Sequence, residues 1–310
     1  RAFFNFFFQL KMSFKWDIVY LTSSPLVFGN DPYFPLPQLN IKSEISSLHN
    51  ILSATKKELT FTHKIATTSN MIESVTSGCK LIHYTGHGFP RYLAFEDDKK
   101  IGETHLIHYD LIRKICNDED EKISFVFVSA GHSEHVANAF IESGIEHVVA
   151  VKTSIEMNDE NAKLFTKSFY NKLLNGNSIK ESFIYAKTEA NTIKKNNNQF
   201  KFMLLPDKSN HDIILFSDLK KGICNNYTPK YAINNLIDDP ISFIGREINM
   251  RDIIQKIMDN GVRLLVLTGD KGIGKTSMAI MTSKYLLYRN KFKGGIFFMN
   301  INQYKNDILF

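Results

Sequence analysis

The chain has 310 residues, 43% hydrophobic and 23% charged, which is enough to bury the cores of two ordinary domains. Its formal charge of +6 is spread over scattered lysines, with no stripe of arginines interleaved with aromatics, so we expect no nucleic-acid partner. The three cysteines, Cys79, Cys116 and Cys224, form no CxxC pair. This argues against a disulfide framework and a zinc site of the usual spacing, and it favours a reducing, cytoplasmic location.

The N-terminal stretch "RAFFNFFFQLK" is apolar, but it is too short to span a membrane. It also lacks the small-residue cleavage site of a signal peptide. We therefore interpret residues 1–15 as an N-terminal extension, of which residues 1–11 are either extraneous or the tail of a missing segment, and we expect no membrane partner.

From residue 16 onward, short apolar runs alternate with stretches of helical spacing, and these predict strands and helices respectively. Strands are predicted over 16–23, 59–67, 79–88, 123–130, 145–154, 200–206 and 212–216. Helices are predicted over 41–57, 69–78, 103–116, 133–144, 158–176 and 178–195. The last helix starts with a capping box made by Ser178 and Glu181. Because the central strands are apolar throughout, the pattern predicts an α/β domain with a mostly parallel sheet and helices on both faces.

The sequence changes character after this first domain. Residues 217–240 show little periodicity and are interpreted as a linker. In the following segment, 241–310, "INMRDIIQKIM" predicts a helix, and "RLLVLT" and "GGIFFMNI" each predict a strand. Between these strands, "GDKGIGKT" fits G-x-x-x-x-G-K-[ST] and opens a helix, which is the context that a phosphate-binding loop requires.

The chemistry of this loop follows from its residues. Glycines let backbone N–H groups turn towards phosphates, and the helix N-terminus adds a positive dipole. Lys275 is expected to neutralise the β- and γ-phosphates, and Thr276 to ligate Mg²⁺. We therefore expect ATP or ADP with Mg²⁺ as cofactors, and the alternative is a glycine-rich turn with a chance Lys-Thr pair. The predicted binding residues are Gly269, Asp270, Lys271, Gly272, Ile273, Gly274, Lys275, Thr276 and Ser277.

With "FIGREINMRDII" upstream, the loop resembles the nucleotide-binding module of signal-transduction ATPases, the NB-ARC and related STAND group. The resemblance implies that Gly245 and Arg246 lie against the nucleotide, and the alternative is a surface loop with an ordinary arginine. Only the front part of such an α/β domain is recognisable, since "KNDILF" is a poor Walker B sequence. We therefore expect weak nucleotide binding and no hydrolysis by this chain alone.

Two turns of the first domain follow apolar strands. "HYTGHG" places His87 between two glycines, and "FVFVSAGHSE" ends the next apolar strand in a turn at Gly131. The carboxyl ends of neighbouring parallel strands are the usual location of the site in an open α/β sheet. A strand, a sharp turn and a helix also form the geometry that presents a catalytic nucleophile.

Together with "ANAFIESGIEHVVAV" and "FTKSFYNKLLNGNSIKESFIYAK", these turns resemble a CHAT domain, a caspase-like domain, over residues 16–216. The resemblance implies a three-layer α/β/α sandwich in which His87 is the general base and Gly88 donates to the oxyanion. Gly131 stands at the position where the family has its nucleophilic cysteine. Because no acyl-enzyme forms without a thiol, we expect a pseudo-peptidase whose cleft binds a protein or peptide ligand.

Other interpretations of the turn at Gly131 stay open at this point. In one, Ser133 or His132 points near His87, although a hydroxyl needs a stronger base arrangement than a dyad built for a thiolate. In another, His83, His87, His132 and His135 suggest a metal site, but no carboxylate is spaced to complete it. Cys79 and Cys116 do not replace the thiol, since neither is predicted near the turn.

Three functions follow as hypotheses. The first is a CHAT-type pseudo-peptidase fused to the start of a STAND-type NTPase, acting in nucleotide-gated signalling, with a homo-oligomer formed through the NTPase among its expected partners. The second is an active cysteine endopeptidase whose cysteine has been substituted at Gly131. The third is a P-loop ATPase joined to an unrelated α/β domain.

Overall fold

The computed structural model describes residues 16–117, 123–152, 159–192, 202–227, 231–240 and 243–301. The predicted extension 1–15 and the "KNDILF" segment lie outside the described residues. Contacts divide the chain into two compact units. Unit 1 comprises Arg1–Ser23, Asn40–Ala94 and Leu106–Thr228. Unit 2 comprises Ser24–Leu39, Phe95–His105 and Pro229–Phe310.

The secondary structure alternates between strands and helices along most of the described chain. The strands are β1 Trp16–Thr22, β2 Val27–Phe28, β3 Phe34–Pro35, β4 Thr60–Ile65, β5 Cys79–Thr85, β6 Gly88–Phe89, β7 Tyr92–Glu96, β8 Thr104–His108, β9 Phe125–Ser129, β10 His147–Val151, β11 Phe202–Leu205 and β12 Asn225–Tyr227. The helices are α1 Ile41–Ala54, α2 Thr68–Thr76, α3 Tyr109–Asn117, α4 Glu134–Glu142, α5 Asp159–Leu174, α6 Ile179–Thr192, α7 Glu247–Met258 and α8 Lys275–Tyr288.

A 7-stranded sheet forms the centre of unit 1, in the order β11-β10-β9-β5-β1-β4-β12. Every neighbouring pair is parallel except β10 and β11, which are antiparallel. Strands β9 and β10 are buried along their whole length, as a continuous apolar run in a parallel sheet predicts. The prediction of a mixed α/β domain with a mostly parallel sheet is therefore confirmed.

Helices cover the sheet in two groups, and the strand side chains alternate between the two faces. On one face Tyr20, Leu81 and Phe127 belong to a core shared with α1, α5 and α6. The intervening residues, such as Val19 and Val126, are just as buried, and α2, α3 and α4 pack against one another. Aromatic stacking fills the first core, and burying each such ring contributes about 1.5–3 kcal/mol.

The capping box predicted for α6 is present. The Ser178 N–H donates to Glu181 Oε2 at 2.9 Å, and the Glu181 N–H donates to Ser178 Oγ at 3.2 Å. These two bonds satisfy backbone donors that the first turn of a helix otherwise leaves unpaired.

Two predicted elements of unit 1 are wrong. The helix predicted over 103–116 begins only at Tyr109, because Thr104–His108 is extended as β8 in a small sheet with β6 and β7. The segment 212–216 forms no strand, although Leu215 and Phe216 are buried in the core. Its backbone is used elsewhere, since the Ile213 carbonyl accepts from the Ile179 N–H at the start of α6.

One stretch of the predicted linker 217–240 is a strand. Residues Asn225–Tyr227 form β12, which pairs in parallel with β4 at the edge of the sheet. The stretch was not predictable from periodicity, since a three-residue edge strand shows no alternation.

Unit 2 is built around α7 and α8, which pack against each other. Its core joins Met250 and Ile254 of α7 and Tyr285 and Leu286 of α8 to Leu26, Val27 and Ile101. The last three residues belong to the segments Ser24–Leu39 and Phe95–His105, which interrupt unit 1 along the chain. Unit 2 therefore combines the second predicted domain with two segments that lie within the first predicted domain.

The strands predicted at "RLLVLT" and "GGIFFMNI" are absent from the described residues, where the second segment contains only an isolated bridge between Asn234 and Ile296. Leu267 and Ile296 pack on the core of unit 2. The opposite side is open, with Leu264 82%, Phe297 65% and Met299 73% exposed. The prediction is wrong because a strand requires a neighbour with which to form its hydrogen bonds.

Candidate functional site

The turns that carry His87 and Gly131 emerge side by side from the sheet of unit 1. Strands β5 and β9 are parallel neighbours, and Thr85 lies opposite Ser129 at their carboxyl ends. The Gly86 N–H donates to the Ser129 carbonyl at 3.3 Å, which extends the pairing into the first turn. The structure therefore brings the two predicted turns together at one edge of the sheet.

Gly88 lies against the backbone of Gly131. A Cβ atom placed on Gly88 would lie 1.9 Å from the Gly131 carbonyl oxygen and 3.2 Å from the Ala130 Cβ. No side chain is compatible with such a distance unless the backbone moves. Glycine at position 88 is therefore required by the close approach of the two turns.

The space around Gly131 is open. A Cβ atom built on this residue would have no neighbouring atom within 4 Å. Its backbone also lies outside the left-handed region that disfavours other residues. A side chain as small as that of cysteine therefore fits at this position without rearrangement.

The backbone of His87 is fixed by unit 1. Its carbonyl oxygen accepts from the Ala94 N–H of β7 at 3.0 Å and lies 3.3 Å from the Tyr84 hydroxyl oxygen. Its residue is half-buried at the mouth of the turn. The role of His87 as a general base stays a prediction.

The Ser133 hydroxyl lies in the interior of unit 1. The residue is fully buried, and its Oγ accepts from the Val151 N–H at 2.9 Å, tying the start of α4 to the end of β10. Burial and this hydrogen bond argue against the interpretation in which Ser133 acts near His87. The neighbouring His132 has a left-handed backbone with φ 55°, and its buried Nδ1 has no hydrogen-bond partner among the described residues.

The three cysteines of the described residues lie in environments that disfavour a thiolate. Burial raises the pKa of the Cys79 thiol strongly, and burial raises the pKa of Cys116 to about 12. Cys224 is half-buried, and burial raises its pKa as well. All three therefore stay protonated and unreactive at neutral pH.

A buried polar chain lies beneath the His87 turn, and no sequence pattern predicted it. The Tyr20 hydroxyl contacts Glu44 Oε2 at 3.0 Å and Thr85 Oγ1 at 3.1 Å. His83 Nε2 lies 3.2 Å from Thr85 Oγ1, and its Nδ1 lies 3.0 Å from the Tyr170 hydroxyl. A tyrosine and a histidine in the middle of apolar strands were the available signal.

The polar chain of hydrogen bonds keeps His83 neutral and the end of β5 rigid. Burial lowers the pKa of His83 from 6.5 to about 3, and burial followed by the charge of Glu44 raises the pKa of Tyr20. Beside it, a cavity of about 90 Å³ opens between α1 and α5, lined by Tyr20, His83, Ser129, Lys163 and other residues. Because Thr85 comes directly before the His87 turn, the polar chain supports the turn from beneath.

The described residues contain no cluster of three or more histidine, cysteine or acidic side chains arranged to hold a metal ion. His83 is committed to the polar chain and His135 is exposed on α4, so the structure does not bring the four histidines together. A helix long and apolar enough to cross a bilayer is also absent from the described part of the chain.

The glycine-rich segment of unit 2 forms a loop that ends at the N-terminus of α8. Gly269, Gly272 and Gly274 have φ values of 145°, 89° and 93°, which favour glycine. The Lys275 Nζ donates to the carbonyls of Gly269 and Asp270 at 2.7 Å each, so the ammonium group folds back over the loop. A phosphate oxygen would offer the same lysine a charged acceptor, and this arrangement fits the predicted nucleotide.

The other predicted nucleotide contacts lie around the same elements. Thr276 is exposed and Ser277 half-buried in the first turn of α8, where a hydroxyl is available to a bound cation. Lys271 and Ile273 are exposed on the loop. Gly245 has φ 72°, and the exposed Arg246 stands directly before α7. Their contact with a nucleotide stays a prediction.

Comparison with known proteins gives a family match and a few distant similarities. The CHAT domain family model matches residues 22–227, which is more than half of the chain. A Roc-COR-CHAT protease from Runella zeae is 28% identical over 115 residues, which are 37% of this chain and 12% of that protein. The chain therefore spans far less than two thirds of this relative. The family match contradicts the hypothesis of an unrelated α/β domain.

Solved structures show weaker likeness. The Arg-specific cysteine proteinase gingipain R aligns with a TM-score of 0.41 and 14% identity, covering 58% of this chain and 43% of that one. A pyridoxal kinase from Staphylococcus aureus in complex with AMP-PCP aligns with a TM-score of 0.29 and 11% identity, covering 61% and 98%. Because the family model matches residues 22–227, which include both turns, this chain belongs to the CHAT domain family of caspase-like peptidases.

Proposed function

We propose that this protein is a CHAT-type pseudo-peptidase whose cleft binds a protein or peptide ligand. We further propose that nucleotide bound in a STAND-type module controls whether the cleft is occupied. The observation that carries the proposal is Gly131, which occupies the nucleophile position of the family pattern in open space beside Gly88. Neither the buried Ser133 nor a cysteine of the described chain supplies a replacement.

In the proposed cleft, each remaining residue has a binding role. The N–H groups of Gly88 and Gly131 donate to a carbonyl of the ligand, as an oxyanion hole does, and His87 donates or accepts at its ring nitrogen. Removal of the nucleophile of a triad costs about 10⁶-fold in rate, so such a cleft holds a peptide without cleaving it. The ligand is released unchanged.

The nucleotide part of the proposal rests on the loop of unit 2. Its left-handed glycines, the start of α8 at Lys275 and the position of the Lys275 ammonium match the needs of a triphosphate. A bound ATP or ADP with Mg²⁺ would supply charge that orders this loop. Lys275 would hold the terminal phosphates, and Thr276 and Ser277 would face the metal. Self-association through the module belongs to the same proposal.

An active endopeptidase is the second candidate, in which Gly131 replaces a cysteine of the ancestral protein. The open space at Gly131 favours it, because a cysteine fits there without rearrangement. The Runella zeae relative is named a protease, in keeping with this candidate. Both candidates need the same His87 geometry, and they differ only in the side chain at one position.

The test of the cleft restores the missing thiol. We expect Gly131→Cys to react with an electrophilic peptide probe, and Gly131→Cys/His87→Ala to react far more slowly, because the base no longer activates the thiol. The unmodified chain sets the background from its buried cysteines. Equal labelling of the two variants would show that the dyad geometry is absent and would overturn the proposed cleft.

The test of the nucleotide site measures the binding of fluorescent ADP and ATP to the full chain with Mg²⁺. Lys275→Ala is expected to weaken binding at least tenfold, because a charge-assisted contact to phosphate contributes about 1.5–3 kcal/mol. The matched control is Lys293→Ala, an exposed lysine of the same unit that makes no predicted contact with nucleotide. Equal affinity of the two variants would remove the nucleotide from the proposal.

A further inference from the structure

The end of α8 is bound to a carboxylate that is buried within unit 2. Arg289 follows α8 directly, and its Nε and Nη2 donate to the two oxygens of Glu96 at 2.6 Å each. Only 9% of the arginine side chain and 5% of the glutamate side chain are exposed. Such a bidentate pair is geometrically specific, and neither charge has an alternative partner in water.

The same contact includes a second segment of the chain. The Ser24 carbonyl accepts from Arg289 Nη2 at 3.1 Å and from the Tyr285 hydroxyl at 3.3 Å. The Ser24 N–H donates to Glu96 Oε1 at 3.0 Å, which closes a ring of hydrogen bonds. The C-terminal end of α8 therefore holds both Ser24 and Glu96.

Both segments continue, through peptide bonds, into the residues that fix the His87 turn in unit 1. Glu96 is the last residue of β7, and Ala94 of the same strand donates its N–H to the His87 carbonyl at 3.0 Å. Ser23 precedes Ser24, and its hydroxyl donates to the Ala94 carbonyl. The Tyr84 hydroxyl donates to that carbonyl as well, at 2.8 Å.

The other end of α8 is the glycine-rich loop. The helix has 14 residues and begins at Lys275, so the loop and Arg289 lie at opposite ends of one rigid element about 20 Å long. A displacement of the helix on binding phosphate would have to carry Glu96 with it or break the pair. Packed elements of this kind respond in discrete steps because interiors are close-packed.

We propose that the Arg289–Glu96 pair transmits the nucleotide state of the 269–276 loop to the His87 turn, along α8 and then along β7. This inference rests on the proposed function, since it assigns the regulation of the same cleft. A bound nucleotide that shifts α8 changes the Ala94–His87 hydrogen bond, and through it the position of the base.

A second ion pair in unit 2, between a partly buried arginine and a buried glutamate, provides a matched control. Arg251 of α7 donates from Nε to Glu103 at 2.9 Å and from Nη2 to the Tyr33 hydroxyl at 2.8 Å. It is also an arginine–carboxylate contact on the segment Phe95–His105, but it involves neither α8 nor β7. Weakening it disturbs the unit to a similar degree without touching the proposed path.

The experiment follows hydrogen exchange of the peptide covering residues 84–96 in the full chain, without nucleotide and with Mg²⁺ plus ADP or ATP. We expect nucleotide to change the exchange rate of the Ala94 amide about fivefold, the lower end of common allosteric couplings. The change should persist in Arg251→Lys and disappear in Arg289→Lys and in Glu96→Gln. Glu96→Gln keeps the side-chain volume, both Arg→Lys changes keep the positive charge but remove the bidentate geometry, and circular dichroism checks that each variant is folded.

The outcomes separate the two proposals. If nucleotide binds, as measured by fluorescence, but Ala94 exchange is unchanged, or if its change survives in Glu96→Gln, the path through Arg289 is overturned while the nucleotide site stands. If no nucleotide binds, the nucleotide part of the proposed function fails and the regulation fails with it. Loss of the response in Arg251→Lys as well would show that general loosening of unit 2, and no specific path, is responsible.

Discussion

Gly88 and Gly274 are both essential to a candidate site, but they meet different physical demands. At Gly88 the backbone of the second turn leaves no room, since a Cβ would lie 1.9 Å from the Gly131 oxygen. At Gly274 there is room, with no atom within 4 Å of a Cβ, but φ is 93°. The first glycine is selected by tertiary packing between two strands of a sheet, and the second by the local course of a loop.

The two units differ in the same way, between tertiary packing in unit 1 and local loop structure in unit 2. Unit 1 holds its turns on paired strands above a buried polar chain, whereas the segment that precedes the loop of unit 2 belongs to no described strand. Unit 1 also contains the buried histidines His63, His83 and His147, while the single histidine of unit 2, His105, is exposed. The site of unit 1 therefore depends on long-range order that the loop of unit 2 does not require.

The largest expected effect is a difference between the stabilities of the two units in acid. Burial lowers the pKa of His63 from 6.5 to about 4 and that of His83 from 6.5 to about 3, and burial with the nearby His211 lowers the pKa of His147. Because the unfolded chain binds these protons first, the stability of unit 1 is complete above pH 6.5 and falls as the pH is lowered. At about pH 4, His63 and His83 together cost about 6 kcal/mol, at about 1.4 kcal/mol per pKa unit.

The fluorescence of Trp16, the single tryptophan of the chain, reports on unit 1 because it starts β1. We expect it to show unfolding near pH 4, while hydrogen exchange in α8 stays slow to lower pH. A His63→Asn/His83→Asn variant removes the titrating groups and should flatten the acid transition, even if its stability at neutral pH is reduced. Simultaneous unfolding of both units on acidification would contradict the assignment of the acid effect to the buried histidines of unit 1.

The next largest effect is expected at Gly88. Gly88→Ala forces the turn at Gly131 to move, and overpacking of this kind costs about 1–3 kcal/mol. Gly131→Ala, in the facing turn, should be within about 0.5 kcal/mol of the unmodified chain because its Cβ meets open space. Urea unfolding followed by Trp16 fluorescence measures both. If the two alanine variants lose equal stability, the close approach of the turns is incorrect.

The sequence predicted the fold of unit 1 well where local pattern and tertiary role agree. Continuous apolar runs predicted β9 and β10, and the Ser178–Glu181 capping box predicted the start of α6. The adjacency of the His87 and Gly131 turns also followed from a parallel sheet. These features depend on periodicity or on residues close in the chain.

The rest depended on partners that are distant in sequence. Thr104–His108 carries a helix-like spacing but is a strand because β7 lies beside it. "RLLVLT" has the composition of a strand but finds no partner among the described residues. The polar chain from Tyr20 to His83, and the use of Ser24–Leu39 and Phe95–His105 to complete unit 2, arise from contacts that no local pattern encodes.

The smallest expected effect concerns Gly274, the glycine that is required by its backbone conformation. Gly274→Ala places a Cβ on a residue with φ 93°, which costs about 1–2 kcal/mol in the left-handed region. Gly294→Ala is its control, since that residue also meets open space but has no positive φ, and it should be neutral or stabilising by about 0.4–1 kcal/mol. Hydrogen exchange in the first turn of α8 measures the local difference. Because the strain at Gly274 is confined to the loop, Trp16 fluorescence should not change, and a change there would mean that the loop and the sheet of unit 1 share one cooperative transition.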